Sequence, residues 1–345
     1  VAKNDDRVFL DVHKTIQVQG FLIEPRNLLM IRAFASFGKK VKEVTPKEAE
    51  KYVRDKKHNV WINFEQATAK ENEFLKSLGF HPLSVEDTIK GRQRPKIEDY
   101  EDYGYIVIRT LETTETGATA QLSIFLGKTF VVTYASAMVP SLQRVMDELK
   151  AKPGVLLKGH DFLAYAVIDA LVDEFFPILE KLDDELEELE DQIFVKSDPK
   201  MVSRLFKLKR KLVEVRRVLI PMRDILNVLS RRDYGYIDAR TAVYFRDVYD
   251  HLIRLADMTD TLRELVTTAM EGYLSVISNN LNFIMKRLTA ITVILMVPTL
   301  LASIYGMNVM NLPLSQEGNG FWEVMGIMLL LTAISFYYFK QKEWL

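Results

Sequence analysis

Seventeen positions between Asp247 and Ser303 recur at alternating steps of three and four residues and are almost free of apolar side chains. In the first half they are Asp247, Asp250, Arg254, Asp257, Thr261, Glu264, Thr268 and Glu271. In the second they are Ser275, Ser278, Asn282, Met285, Thr289, Thr292, Met296, Thr299 and Ser303. This spacing puts all of them on one stripe of a helix. Carboxylates at one end, with an inner acidic ring at Glu271, would attract cations. Hydroxyl and amide oxygens further along would accept hydrogen bonds from the waters of a hydrated ion. That chemistry is ion passage, provided several copies of the stripe face one wet axis. Two plainer readings stay open: a solvated helix face in the charged half, and hydroxyls bonded back to their own helix in the other. The chain then reads Tyr305-Gly306-Met307-Asn308. Gly306 removes a side chain at a helix end, where backbone carbonyls carry the negative end of the dipole. Asn308 would add a ring of neutral amide oxygens, able to hydrogen-bond a hydrated hard cation without holding it as tightly as carboxylates would. Taken alone, that tripeptide reads better as a helix cap and a turn.

The elements that must position these groups are apolar. Leu288–Tyr305 and Phe321–Phe339 are runs of 18 and 19 residues in which the only charge is Glu323. As helices they span roughly 27–29 Å, about the thickness of a bilayer's hydrocarbon core. Lys286 and Arg287 precede the first run, and Lys340 and Lys342 follow the second. The positive-inside bias then puts both ends in the cytoplasm and the intervening turn outside. A buried helical hairpin in a soluble protein is the alternative, and the one-sided cations argue against it. Two spans cannot enclose a polar pathway, so conduction requires a homo-oligomer around a shared axis.

With 345 residues, 48% hydrophobic and 27% charged, the chain has room for a sizeable folded body before the spans. A net charge of -1 gives no case for nucleic acid. The absence of cysteine excludes disulfides and thiolate metal sites. The residues Val1-Ala2-Lys3-Asn4 give no signal-peptide pattern. Over the first 158 residues, Ile16–Ile23, Leu28–Phe37, Val60–Phe64, Tyr105–Leu111, Gln121–Leu126 and Phe130–Tyr134 read as strands. Pro46–Asp55 and Thr68–Leu78 read as helices between them. An α/β domain is expected over residues 1–158. From 159 to 240 a long helical pair follows, first His160–Phe194, with eight acids in Glu180–Asp191, then a basic helix opening at Asp198-Pro199. A stalk helix and the first span occupy 241–307, an outer loop 308–320, and the second span with its tail 321–345. Along the stalk, Phe245, Val248, Leu252, Leu255, Thr259, Leu262, Val266, Ala269, Tyr273 and Val276 form an almost wholly apolar heptad seam. Pro298 is expected to bend the helix.

The YGMN end of the first of two C-terminal spans resembles the CorA family of magnesium channels. Phe80–Tyr100 (FHPLSVEDTIKGRQRPKIEDY), Ile168–Glu190 and Phe245–Asp257 resemble further family stretches, so the likeness covers most of the chain. It implies an α+β membrane protein: a cytosolic α/β domain, a stalk continuous with the first transmembrane helix, and a funnel-shaped homopentamer. It also implies passive, potential-driven uptake of Mg²⁺, with Co²⁺ and Ni²⁺ as lesser substrates, through the cell's inner membrane. Mg²⁺ would be both cargo and regulator, with no organic cofactor. The matching regulatory acids are Asp87 and Asp247, with Glu86 and Asp169 beside them. The filter matches Gly306, Met307 and Asn308, and pore-lining positions match Asn282, Met285, Leu288, Met296 and Thr299. Thr289, Thr292 and Ser303 join the lining from the stripe itself. The outer loop departs from the family in holding Glu317 as its single acid, and the tail Lys340-Gln341-Lys342-Glu343 is less basic than some relatives. The rivals are a Zn²⁺ transporter of the same build and a membrane-anchored metal sensor that does not conduct. No Cys or His lies on the stripe, which disfavours a softer metal. An enzyme is not expected: His13, His58, His81, His160 and His251 show no ligand spacing, and there is no Gly-rich phosphate loop.

Overall fold

The computed structural model describes residues 16–18, 21–23, 31–111, 119–195, 198–231, 234–307, 312–314 and 318–345. Strands β1 (Ile16–Val18) and β2 (Phe21–Ile23) pair as an antiparallel ribbon. The main sheet is built from β3 (Ile31–Phe37), β4 (Lys40–Val44), β5 (Val60–Glu65), β6 (Lys96–Asp99), β7 (Tyr103–Leu111), β8 (Thr119–Gly127) and β9 (Phe130–Ala135). Their order is β4-β3-β5-β9-β8-β7-β6. β5 and β9 run parallel, with Val60 opposite Phe130, and the other neighbours are antiparallel. Every residue of β9 is buried, as a central strand covered on both faces must be. Helices α1 (Pro46–Asp55) and α2 (Ala69–Ser77) place Ala49, Val53 and Leu75 in a cluster with Ile62, Phe64, Phe125 and Val132. The alternate residues Trp61, Ile124 and Val131 are equally buried. Helix α3 (Pro82–Lys90) leads into β6; α4 (Pro140–Ala151), α5 (Gly154–Leu157) and α6 (His160–Asp173) follow β9, and α6 lies against β8 and β9.

Several elements depart from the sequence expectation. β4 and β6 are edge strands rich in charge, which hides them from a search for apolar alternation and also blunts the sheet edges. α3 and α4 each begin with a proline in the first turn, a start signal that the reading passed over. The expected helix His160–Phe194 is two helices, α6 and α7 (Phe175–Val195), with Glu174 between them. Pro177 explains the break: it has no N–H for the Asp173 carbonyl, and its ring crowds that oxygen. α8 (Pro199–Arg231) opens where Asp198 Oδ1 accepts the Lys200 N–H at 2.9 Å. α9 (Ala239–Tyr305) is one helix of 67 residues that continues through Pro298, and α10 (Gly320–Gln341) follows.

The chain forms two compact units, Val1–Asp183 with Lys209–Arg263 and Asp184–Leu208 with Glu264–Leu345. The second holds both candidate membrane spans. The most apolar windows of α9 and α10 have mean hydropathies of 2.0 and 1.5. Each window is only 6% buried, unlike the core helix of a soluble protein. Residues with this much apolar surface and no protein cover belong in lipid or against other chains.

Candidate ion pathway and metal-ligating carboxylates

On α9 the heptad seam and the polar stripe separate cleanly. Phe245, Val248, Leu252, Leu255, Thr259, Leu262, Val266, Ala269 and Tyr273 are buried, and Val276 is half-buried. All seventeen stripe positions are exposed, from Asp247 to Ser303. The hydroxyls follow the alternative left open from sequence. Thr292 Oγ1 donates to the Leu288 carbonyl at 2.8 Å, Thr299 to Leu295 at 2.7 Å, and Ser303 to Thr299 at 2.8 Å. Thr261 does the same to Asp257 at 2.9 Å. These bonds use each hydroxyl proton but leave oxygen lone pairs directed away from the helix. These hydroxyls can accept hydrogen bonds from water through their remaining lone pairs. That is the polarity required by the outward-pointing hydrogens of a cation's hydration shell, so back-bonding and ion contact are compatible.

At the far end Gly306 N–H reaches Ala302 O at 2.9 Å and Met307 N–H reaches Ile304 O at 3.2 Å, closing the helix with a tightened last turn. A Cβ on Gly306 would stand 3.1 Å from Ala302 O, a crowded contact that glycine avoids. Gly306 and Met307 are exposed, while Asn308 and Glu317 lie outside the described residues.

The four expected regulatory acids fall into two groups. Asp87, on α3, is half-buried and already fully engaged: Gln93 Nε2 donates to Oδ1 at 2.7 Å and Lys96 Nζ to Oδ2 at 2.7 Å. Lys96 also pairs with Glu98 at 2.6 Å. Burial pulls the Lys96 ammonium down, but the hydrogen bonds and charges of Asp87 and Glu98 outweigh it and hold the group above its ordinary range. Glu86, one residue earlier and exposed, pairs with Lys90 one turn on. A metal binding here would have to displace or neutralise the ammonium groups of Lys96 and Lys90.

Asp169, on α6, accepts the Tyr165 hydroxyl at 3.3 Å. Burial, then the charge of Asp173, push its carboxyl above the ordinary range, and His251 pulls it back. Asp247 adds to the same upward push, so its negative field reaches Asp169 within one chain. The ligand atoms of Asp169, Asp173 and His251 lie within 4.8 Å of one another, and His251 Nδ1 is 3.8 Å from Asp173 Oδ1. That nitrogen is buried without a hydrogen-bond partner. The sequence reading missed Asp173 and His251. Their signal was spacing: Asp173 is four residues after Asp169 on α6, and His251 four after Asp247 on α9. Among the described residues no hydrogen bond or ion pair links the α3 acids to those of α6 and α9.

The helical pair also resolves. On α7, Leu186, Leu189 and Ile193 are buried, as are Met201, Leu205 and Leu208 on α8. Arg204 reaches Glu188 at 3.3 Å; Glu180, Asp183, Asp184, Glu187 and Asp191 are exposed, and Glu185 and Glu190 are half-buried. An apolar seam flanked by an exposed ion pair is a structural arrangement, and such pairs add little stability.

Known proteins share both sequence and fold with this chain. The family described as "CorA-like Mg2+ transporter protein" matches residues 56–341. The cobalt/magnesium transport protein CorA of Thermotoga maritima is 36% identical over 301 residues, covering 85% of this chain and 85% of that one. The complete structure of the CorA magnesium transporter of Methanocaldococcus jannaschii superposes with a TM-score of 0.81 at 27% identity, covering 92% of this chain and 99% of that one. The cytoplasmic domain of ZntB from Vibrio parahaemolyticus, at 12% identity and a TM-score of 0.60 over 72% of this chain and 98% of that one, shares the fold alone.

Proposed function

Because the chain belongs to the CorA-like Mg2+ transporter family, we propose that it is a passive Mg²⁺ channel whose pore is the polar stripe of α9. The family comprises ion transporters and channels, not enzymes. Several copies, five by the family resemblance, surround one axis and turn Asn282, Thr289, Thr292, Met296, Thr299 and Ser303 towards it. Leu288 narrows the same path, and Gly306, Met307 and Asn308 form the outer mouth. Both chain ends face the cytoplasm. Mg²⁺ is the main cargo, with Co²⁺ and Ni²⁺ as lesser ones. The driving force is the membrane potential: a divalent ion crossing ~100 mV gains about 4.6 kcal/mol. Mg²⁺ held between copies by Asp87 and Asp247, with Glu86 and Asp169 adjoining, favours one tight, closed arrangement.

The observation that carries this reading is the continuity of the polar stripe along a single helix of 67 residues, through charged and apolar sequence alike. It is tested by single cysteines, for which the chain offers a cysteine-free background. A small water-soluble thiol reagent is expected to react at Thr292→Cys, Met296→Cys and Thr299→Cys and to reduce flux at each. Ile294→Cys and Leu300→Cys, off the stripe, should react at least roughly tenfold more slowly, since lipid or protein excludes the charged reagent. Equal labelling at all five positions would mean that the first span does not border water.

A further inference from the structure

Resting on the regulatory reading of Asp87 above, we propose that Lys96 is a tethered competitor for the regulatory Mg²⁺. Its ammonium occupies Asp87 while the ion is absent and moves onto Glu98 when the ion binds, which sets the Mg²⁺ concentration at which the closed arrangement forms. Lys96 and Glu98 stand two residues apart on β6, a spacing that turns both side chains to one face of the strand. Asp87 lies in the last turn of α3, and only residues 91–95 separate that helix from β6. The ammonium therefore sits between two carboxylates: Nζ is 2.7 Å from Asp87 Oδ2 and 2.6 Å from Glu98 Oε1. The Tyr105 ring stands 5.7 Å from it. A cation bridging two acids of one chain relieves the same repulsion that a divalent ion would relieve between acids of neighbouring copies.

At this corner the acids are fixed and the ammonium is the part that can move. The Asp87 carbonyl accepts the Gly91 N–H at 3.2 Å and Gln121 Nε2 at 3.1 Å, and its Oδ1 accepts Gln93 Nε2 at 2.7 Å. Gln93 is held in turn: its N–H donates to Gln121 Oε1 at 2.8 Å, and its carbonyl accepts from Arg109 at 2.9 Å. Glu98 Oε2 accepts the Tyr100 hydroxyl at 3.1 Å. Lys96 instead carries its charge on a flexible four-carbon stem with three donors. Since Glu98 already holds the ammonium, leaving Asp87 breaks one ion pair and keeps the other. Each Asp87 oxygen has a second lone pair, and the side chain is 24% exposed, so a hydrated cation can reach it. The neighbouring pair of Lys90 with Glu86 differs, because both its members are exposed and water screens them.

The midpoint of Mg²⁺ protection against chymotrypsin, which does not cleave at lysine, tests the competition in the full chain. Lys96→Met should move that midpoint to roughly tenfold lower Mg²⁺, since a unit charge beside a divalent ion alters its affinity by about that factor even in water. Lys96→Arg keeps the charge and should stay near the parent, and Lys90→Met should shift the midpoint by less than about threefold. Glu98→Gln leaves Lys96 to Asp87 alone and should move it about threefold or more to higher Mg²⁺. In the Lys96→Met background most of that Glu98→Gln effect should disappear, because Glu98 acts through Lys96. Shifts in opposite directions cannot come from lost folding. Faster cleavage of Lys96→Met at every Mg²⁺ concentration, with the midpoint unmoved, would make the pair a fold staple and overturn the proposal. A shift of equal size from Lys90→Met would overturn it in favour of general surface charge. A parent chain that Mg²⁺ does not protect at all would sink the regulatory reading itself, and the competitor with it.

Discussion

Asn308→Ala is expected to remove nearly all Mg²⁺ flux while leaving assembly intact. The mouth of the proposed pore needs neutral acceptors that hydrogen-bond the waters of an ion reluctant to lose them. One such bond is worth about 0.5–1.5 kcal/mol net. Several copies acting on the same hydrated ion together contribute several kcal/mol, so flux should fall by roughly a hundredfold or more. Asn308→Asp separates charge from shape. A carboxylate ring should hold divalent ions more tightly and slow their release, lowering maximal flux with Mg²⁺ still bound at the mouth. Unchanged uptake in Asn308→Ala would remove Asn308 from the filter.

The second large effect concerns control. Carboxylates on neighbouring copies repel one another, and a divalent ion between them turns repulsion into a tie. With Mg²⁺ at ten times its dissociation constant, the population of the loosened state should drop about tenfold, and cleavage proceeding from that state should slow equally. In Asp87→Lys with Asp247→Lys this protection is expected to vanish. Asp87→Lys also sets an ammonium beside Lys96, which the native Asp87 contacts at 2.7 Å, so a neutral pair is needed as well. Asp87→Asn with Asp247→Asn removes the chelating charge without adding that repulsion and should lose protection too. Protection equal to the parent's in both variants would place the lock elsewhere. The cluster of Asp169, Asp173 and His251 would then be the next set to remove.

What could be read from the sequence was what repeats. The stripe on α9 was legible because heptad spacing survives the change from charged residues such as Asp257 to hydroxyls such as Thr299. The apolar seam from Phe245 to Tyr273 was legible for the same reason, and it is buried while the stripe is exposed. Features that depend on one residue or on distant segments were lost. Pro177 divides α6 from α7 through a single missing N–H, and an amphipathic pattern running across it does not record that. β4 and β6 carry edge charges that mask strand alternation. Asp173 and His251 lie on different helices, and only the fold brings their ligand atoms within 4.8 Å. The pairing of Asp87 with Lys96 likewise joins α3 to β6. The back-bonded hydroxyls of Thr292 and Thr299 settle their proton direction, which no spacing can show.

Flux under a controlled membrane potential tests the channel most directly. The full chain is reconstituted in vesicles that contain a Mg²⁺-sensitive dye, and a K⁺ diffusion potential is imposed without ATP. The account predicts Mg²⁺ entry well above that of protein-free vesicles, with a rate that climbs as the interior is made more negative, because each ion carries two charges through the field. Entry indistinguishable from protein-free vesicles, or the same at zero and at inside-negative potential, would contradict it.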